Sequence, residues 1–190
     1  MKKGVVVIIS GPSGSGKTTL YNKLLQDPQF KEKLIKSISV TTRKSRRGEV
    51  NGRDYIFVSR EEFLYKKRAG HFLEYQKVFK NYYGTPRKNV VAALGQGKNV
   101  LLCIDVKGAK IVLKKMPQAV TVFIKTPSLA SLKSRLLKRG SEIRQVIALR
   151  LKVAREELKE AQYYKYIIIN DDLNKAFRKL KSIILREIHS

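Results

Sequence analysis

The stretch Gly11-Pro12-Ser13-Gly14-Ser15-Gly16-Lys17-Thr18 fits the pattern G-x-x-x-x-G-K-[ST] of a phosphate-binding loop. It follows an apolar run at residues 5–9 and precedes residues 19–25, which are predicted to form a helix. The glycines allow backbone angles at which successive N–H groups surround an anion, and the helix directs the positive end of its dipole at the same anion. The sequence therefore predicts a nucleoside triphosphate site rather than a glycine-rich turn that binds nothing.

Two side chains of this loop carry specific chemistry. Lys17 places a cation on the terminal phosphates, and the hydroxyl of Thr18 is placed to bind Mg²⁺. The predicted ATP-binding set from this stretch is Gly11, Pro12, Ser13, Gly14, Ser15, Gly16, Lys17, Thr18 and Thr19.

The composition favours one globular, cytoplasmic domain. Its 190 residues are 43% hydrophobic, enough to bury a sizeable core. No segment has the pattern of a signal peptide, and none approaches the roughly 18 apolar residues of a membrane span. Cys103 is the single cysteine, which is typical of a reducing compartment. With only His71 and His189, a histidine metal site or a Ser-His-Asp triad is not expected.

The charge is strongly basic: 41 Lys and Arg against 15 Asp and Glu, a formal net charge of +26. Such a balance can indicate nucleic-acid binding. The charge is spread along the chain, however, and it is not interleaved with an aromatic RNA-binding motif. We therefore expect solvated lysines on an anion-handling enzyme, with no specific nucleic-acid partner and only weak, salt-sensitive adsorption to polyanions.

Hydrophobic periodicity predicts an α/β fold. Ser128 is a predicted N-cap for a helix over residues 129–138, residues 142–164 form a long charged helix, and Asp172 caps a final amphipathic helix. Continuous apolar runs of the kind found in buried parallel strands lie at residues 5–9, 100–104, 120–124 and 166–169. Together these elements predict a doubly wound parallel sheet with helices on both faces.

Two segments interrupt this pattern. Residues 37–42, 53–58 and 72–79 are predicted short β segments, and Asn51-Gly52 is a hairpin-turn signal. A small mixed-β insertion at residues 37–90 is therefore expected, together with a basic helical insertion at residues 128–152. An α/β core with two attachments suits a kinase that closes over two substrates and excludes water.

Further segments resemble the signature of guanylate kinases, in that family's order and spacing across nearly the whole chain. They are residues 39–55 (SVTTRKSRRGEVNGRDY), 72–75 (FLEY), 81–85 (NYYGT), 104–108 (IDVKG) and 169–172 (INDD). The resemblance implies transfer of a phosphoryl group from ATP to GMP. It also implies a single domain in which residues 1–36, 91–127 and 153–190 are core, 37–90 bind GMP and 128–152 form a lid, in a monomer or homodimer.

The resemblance also implies a GMP site. Glu74 suits the guanine edge, since one carboxylate can accept from N1–H and from the 2-amino group, while Ser39 can donate to O6. Arg43 and Arg46 suit phosphate, because guanidinium forks match its oxygens. The full GMP-binding set is Ser39, Arg43, Arg46, Tyr55, Glu74, Tyr83, Thr85 and Asp105.

Arginines of the implied lid complete the predicted chemistry. The expected catalytic set is Lys17, Arg46, Arg135, Arg139 and Arg150, whose charges would stabilise the transferring phosphoryl group. Asn170 and Asp171 match positions near the adenine of ATP, although Asp171 and Asp172 serve equally well as helix caps. The attacking group is the phosphate of GMP, mostly a dianion at neutral pH, so no general base is required.

Three positions depart from the family pattern. Cys103 stands where an acid is usual, Lys107 stands where Gln is usual, and Arg144-Gln145 replaces a commonly acidic part of the lid helix. Loss of the acid at Cys103 is expected to weaken GMP binding or alter the water around Mg²⁺, or Cys103 is simply a small strand residue. Activity is expected to survive all three.

Two other classes of kinase-fold protein remain as alternatives. A non-catalytic scaffold of the guanylate kinase fold would normally have a degraded phosphate loop, whereas Lys17-Thr18 is intact here. Another small-molecule kinase, such as a ribose bisphosphate kinase, would share the loop but not the set Ser39, Tyr55 and Glu74. A nucleic-acid-binding protein is a third alternative that rests on charge alone.

Overall fold

The structure is a computed structural model that describes residues 4–138 and 144–189. Within these ranges the chain forms two sheets and seven α-helices. The strands are β1 (Val6–Ser10), β2 (Leu34–Lys36), β3 (Val40–Thr41), β4 (Ile56–Phe57), β5 (Phe72–Val78), β6 (Asn81–Pro86), β7 (Asn99–Cys103), β8 (Val120–Lys125) and β9 (Tyr166–Ile169). The α-helices are α1 (Lys17–Gln26), α2 (Arg60–Arg68), α3 (Arg87–Gly95), α4 (Val106–Lys115), α5 (Leu129–Lys138), α6 (Arg144–Lys159) and α7 (Leu173–His189), and short 3₁₀ helices cover Pro28–Phe30 and Glu160–Tyr163.

The main sheet is parallel and has the order β2-β7-β1-β8-β9. Strand β1 lies at its centre and all five of its residues are buried, because helices cover both faces. One face packs against α3 and α4 around Ile8 and Phe123, and the other packs against α1 and α7 around Ile9 and Ile168. The predicted doubly wound sheet is confirmed, and all four predicted strands are present.

The second sheet is mixed and has the order β4-β3-β6-β5. Strands β5 and β6 form its long antiparallel hairpin, in which Glu74 lies opposite Thr85 and Gln76 opposite Tyr83. Helix α2 covers this sheet through Phe63, whose ring stacks on that of Phe72 at 4.6 Å. The predicted mixed-β insertion is therefore present beside the main sheet.

The prediction of a hairpin turn at Asn51-Gly52 is wrong. Gly52 does have a positive φ of 79°, but the chain on either side does not form an antiparallel pair. Asn51 instead makes a parallel bridge with Tyr55, and its side-chain oxygen accepts from the N–H of Phe57 at 3.0 Å. The two short strands that flank this region are parallel, since β4 pairs with β3 in the same direction.

The predicted helix caps are confirmed. The Ser128 hydroxyl accepts from the N–H of Ser131 at 3.1 Å, and the Asp172 carboxylate accepts from the N–H of Lys175 at 2.7 Å. The long helix predicted to start at residue 142 is observed from Arg144, and residues 142 and 143 lie outside the described residues. None of the helices in the described ranges has the length and apolarity needed to cross a membrane.

Candidate active site

A cavity of about 280 Å³ opens at the carboxyl end of β1, between the main sheet, the second sheet and α6. This is the edge at which open parallel sheets bind ligands, because loops and helix N-termini converge there. The structure brings together most of the residues singled out from sequence. Those that line the cavity are Gly11, Ser13, Gly14, Gly16, Lys17, Thr18, Thr19, Ser39, Arg43, Arg46, Tyr55, Glu74, Tyr83, Asp105 and Arg150.

The phosphate-binding loop has the backbone expected of an anion cradle. Gly11, Gly14 and Gly16 all have positive φ, at 134°, 91° and 92°. At Gly16 a Cβ would lie 2.2 Å from Nδ2 of Asn170, so both the backbone angle and the space require glycine. Lys17 reaches back across the loop, and its Nζ donates to the carbonyls of Gly11 at 2.6 Å and Pro12 at 2.8 Å.

Glu74 lies deep at the opposite side of the cavity, on β5, and only 5% of its surface is exposed. The Thr85 hydroxyl on β6 donates to its Oε1 at 2.6 Å. Its other oxygen lies against Gly108, where an added Cβ would come within 2.6 Å. Burial, and in addition the nearby Asp105 carboxylate, raise the pKa of Glu74 to about 7 even though the Thr85 hydrogen bond lowers it.

Asp105 links the end of β7 to the start of α4. Its Oδ1 accepts from the N–H of Gly108 at 2.7 Å, which caps the helix. Burial raises the pKa of Asp105, against this hydrogen bond and the positive charges of Lys107 and Lys17. The capping bond fixes the direction of a carboxylate whose remaining surface faces the cavity.

Arg43, which lines the cavity, forms an ion pair with Glu49. Its Nη2 donates to both carboxylate oxygens of Glu49, at 2.8 and 2.9 Å, and its guanidinium lies 5.3 Å from the Tyr55 ring centre. Burial raises the pKa of Glu49, but the hydrogen bonds from Arg43 and from the Arg46 N–H outweigh it, so the net pKa is lowered. Burial raises the pKa of Tyr55 to about 12, so its hydroxyl remains a donor.

Six predicted residues do not line the cavity but lie around it, and Arg139 lies outside the described residues. Asn170 braces the loop, since its Nδ2 donates to the Ser15 carbonyl at 2.8 Å. Arg135 donates to the carbonyls of Asn170 at 2.7 Å and Asp171 at 3.3 Å. The six are Pro12, Ser15, Thr85, Arg135, Asn170 and Asp171.

Sequence reasoning missed several residues that line the cavity. Gln76 and Val78 follow Glu74 at the two-residue spacing of one face of β5. Val153 and Glu157 follow Arg150 at helical spacing on α6. Both periodicities were available once Glu74 and Arg150 had been chosen; Phe79 and Ile104 had no such signal.

Glu157 adds a third acid to this cavity, after Glu74 and Asp105, and it is half-buried. Burial raises its pKa to about 7, and the nearby Lys17 opposes that shift while Asp105 adds to it. Cys103, at the end of β7, also lines the cavity, and burial raises the pKa of its thiol. The cavity thus joins a cationic loop to a group of carboxylates and donors, an arrangement suited to two ligands of different chemistry.

Comparison with known proteins agrees with this geometry. The family model described as guanylate kinase matches residues 3–187. A guanylate kinase of Protochlamydia amoebophila is 48% identical over 188 residues, covering 99% of this chain and 93% of the relative. One of Caldanaerobacter subterraneus is 45% identical over 187 residues, covering 98% of this chain and 89% of the relative.

A solved structure gives the same result at the level of the fold. The crystal structure of guanylate kinase from Anaplasma phagocytophilum superimposes with a TM-score of 0.82 at 36% identity, and the match covers 100% of this chain and 89% of that one. The intact phosphate loop, the shared fold and the length of the matches lead to one conclusion: the chain belongs to the guanylate kinase family.

Proposed function

We propose that this cavity carries out the reaction ATP + GMP → ADP + GDP, with ATP bound by the phosphate loop and GMP bound by the second sheet. Family membership makes the chain a nucleotide-binding phosphotransferase. The observation that carries the assignment of the site is that most members of the two predicted sets of binding residues, which lie apart in sequence, line one cavity. Phosphoryl transfer needs such proximity, because its catalysis is mainly positioning and charge stabilisation.

Glu74 is the proposed guanine-selecting residue. Thr85 holds Oε1 at 2.6 Å and leaves the carboxylate within the cavity, where the ionised form can accept from N1–H and the 2-amino group. Adenine presents a different pattern of donors and acceptors and would leave this buried carboxylate unpaired. Discrimination by such polar contacts reaches about 10⁴-fold.

Arg43 and Arg46, with the hydroxyls of Tyr55 and Tyr83, are the proposed binding groups for the GMP phosphate. In the structure both arginines contact Glu49, one through its side chain and one through its backbone N–H. Both Glu49 oxygens accept from one nitrogen of Arg43, Nη2, and so hold an anion position that a phosphate oxygen could take, while Nη1 donates to the Lys44 carbonyl at 2.7 Å. Binding of GMP would then exchange one anion for another, and Ser39 is the proposed donor to the base.

The transferring phosphoryl group is the proposed target of Lys17 and the lid arginines. Arg150 already reaches the loop, since its Nη1 donates to the Ser13 hydroxyl at 2.7 Å. Arg135 is connected to the loop indirectly: it donates to the backbone carbonyl of Asn170, whose side chain in turn donates to the loop. Arg139 is the proposed third cation, because it matches a lid arginine of the family. Their summed charge would stabilise the negative charge spread over the equatorial oxygens.

Kinases that use ATP generally require a divalent cation, and Mg²⁺ is the proposed one. The Thr18 hydroxyl lies in the cavity and supplies the hard oxygen that Mg²⁺ prefers. The described residues contain no cluster of three or more His, Cys, Asp or Glu side chains arranged for a metal. Mg²⁺ is held in such sites by one or two protein oxygens, substrate phosphates and water, and it neutralises phosphate charge when bound.

Asn170 and Asp171 are the residues proposed to lie near the adenine of ATP. Asn170 would act chiefly by holding the Ser15 carbonyl, and so the loop, in place.

The proposed division of the chain is a core of residues 1–36, 91–127 and 153–190, a GMP-binding region of 37–90 and a lid of 128–152. Closure of the last two over the core would exclude water and limit ATP hydrolysis.

Free nucleotides in the cytoplasm are the proposed partners, with the protein acting as a monomer or homodimer and without a specific nucleic-acid ligand. A single cysteine in 190 residues supports a reducing compartment. The formal net charge of +26 disfavours close association of copies except through a neutralised interface.

Calorimetric titration of two variants tests whether the cavity has two separate ends. Gly16→Ala, which clashes with Asn170, is expected to lose ATP binding and keep GMP binding. Glu74→Gln is expected to bind GMP much more weakly and keep ATP binding. Gly70→Ala, which also alters a positive-φ glycine (69°) but meets nothing, and the exposed Glu61→Gln are the matched controls. Loss of both ligands in both site variants would contradict the assignment.

A further inference from the structure

Arg150 joins three parts of the molecule. It lies on α6, its Nη1 donates to the hydroxyl of Ser13 in the phosphate loop at 2.7 Å, and its guanidinium lies 5.5 Å from the ring centre of Phe79. Phe79 lies in the turn between β5 and β6, the hairpin that carries Glu74. One side chain therefore spans the ATP end, the GMP end and the helix that leads from the lid.

Phe79 has two properties that ordinary packing does not explain. Its φ is 54°, in the left-handed region that residues with a Cβ avoid. The residue is also 43% exposed, so it contributes little to the hydrophobic core, and yet it lines the nucleotide cavity. Unfavourable backbone angles in non-glycine residues concentrate at functional sites, where the surrounding structure maintains them.

The tight turn between β5 and β6 explains only one of these two properties of Phe79, its positive φ. Two residues, Phe79 and Lys80, connect β5 to β6, and such short turns favour positive φ. Glycine or asparagine would meet that need at lower cost. The turn therefore explains the sign of φ but not the choice of a large aromatic side chain, which the contact with the Arg150 guanidinium does explain.

We propose that Phe79 is a positioning residue for Arg150: the Phe79 ring holds the Arg150 guanidinium beside the phosphate loop. The inference rests on the proposed role of Arg150 in stabilising the transferring phosphoryl group. Through this contact the position of the GMP-binding hairpin would be coupled to that of α6. Arg150 would then be aligned with the phosphate loop only when the hairpin occupies its observed position. Cation–π contacts favour a guanidinium over an aromatic face, and the loss of one corresponds to about a three- to thirty-fold effect.

Steady-state kinetics of Phe79 variants test the catalytic consequence. Phe79→Leu, which keeps an apolar side chain, is expected to lower kcat about three- to thirty-fold and change the KM for GMP less than twofold. Phe79→Tyr, which keeps the ring, is expected to restore most of kcat. Tyr75→Leu is the matched control, because Tyr75 lies on the same strand and has Lys67 4.7 Å from its ring, but is not part of the cavity lining. A kcat for Phe79→Leu equal to that of the parent would overturn the inference.

A double-variant cycle assigns the effect to Arg150. Arg150→Met removes the cation and keeps an unbranched side chain, so Phe79→Leu added to it is expected to lower kcat no further. Fully additive losses would overturn the inference, since they would mean that Phe79 acts independently of Arg150.

An NMR measurement makes the test independent of activity, and so separates failure of this inference from failure of the proposed function. In arginine-labelled protein, the Nε–H signal of Arg150, assigned by its loss in Arg150→Lys, is expected to carry a ring-current shift. That shift is expected to disappear in Phe79→Leu and persist in Phe79→Tyr and Tyr75→Leu. An Arg150 signal that does not change in Phe79→Leu would overturn the inference even in a fully active enzyme.

Discussion

GMP affinity should depend on pH through Glu74. The pKa of this carboxyl is raised to about 7, chiefly by burial, and guanine requires the ionised form as a double acceptor. In the free protein about one molecule in eleven is ionised at pH 6 and about ten in eleven at pH 8, so GMP should bind about tenfold more tightly at pH 8. The second ionisation of the GMP phosphate, with a pKa of about 6, adds about a further twofold if the dianion is the bound form.

Calorimetric titration with GMP from pH 6 to pH 8 measures this effect directly. The parent is expected to gain about twentyfold in affinity over that range, whereas Glu74→Gln, which cannot ionise, should bind weakly and gain only the twofold due to the phosphate. Asp105→Asn serves as a second comparison, because burial raises the pKa of Asp105 as well. Equal pH dependence in the parent and in Glu74→Gln would refute the assignment of guanine recognition to Glu74.

Three further outcomes follow from the same contacts. Since the pKa of Glu74 is higher in the folded than in the unfolded protein, its contribution to stability is present below about pH 4.5 and is lost as pH rises through about 7. In denaturant titrations, the unfolding free energy of Glu74→Gln relative to that of the parent should therefore rise by roughly 2–3 kcal/mol between pH 5 and pH 8. Thr85→Val removes the donor to Oε1, so the pKa of Glu74 should rise further, and the midpoint of the GMP-affinity profile should move above pH 7; an unmoved midpoint would mean that this bond does not set the pKa. Cys103→Asp restores the acid usual at that position in the cavity wall, and is expected to tighten GMP binding while retaining turnover; unchanged affinity and turnover would show that Cys103 is a neutral strand residue.

The parts of the fold that sequence predicted well are those with a strong local signal. Strand β1 is buried on both faces, so its apolar run is continuous, and the loop that follows has a fixed pattern of residue types. Ser128 and Asp172 are predictable as caps because capping depends on a side chain and the backbone three residues later.

Elements that depend on distant partners were not predictable in the same way. Strand β2 is three residues long and β3 and β4 are two residues each, too short to show any periodicity. At Asn51-Gly52 the local turn signal was correct about the positive φ of Gly52, but strand direction is decided by pairing with β3 rather than by the turn.

The site divides in the same manner. Residues that belong to short motifs, such as Lys17 and Glu74, were found from sequence and do lie in the cavity. Glu157 lies in it only because α6 directs two successive turns toward the loop, and Phe79 only because the hairpin places its turn beside Arg150. Helical spacing from Arg150 could have indicated Glu157, whereas Phe79 is identified only by its tertiary contact with Arg150.

Nucleotide formation with a panel of acceptors tests the central claim most directly. ATP and Mg²⁺ would be incubated with GMP, AMP, CMP, UMP or no acceptor, and ADP and the nucleoside diphosphate product separated and measured by chromatography. The account predicts ADP and GDP in equal amounts with GMP, and little turnover with the other acceptors. Binding of ATP without GDP formation, or turnover that does not distinguish GMP from AMP, would contradict it.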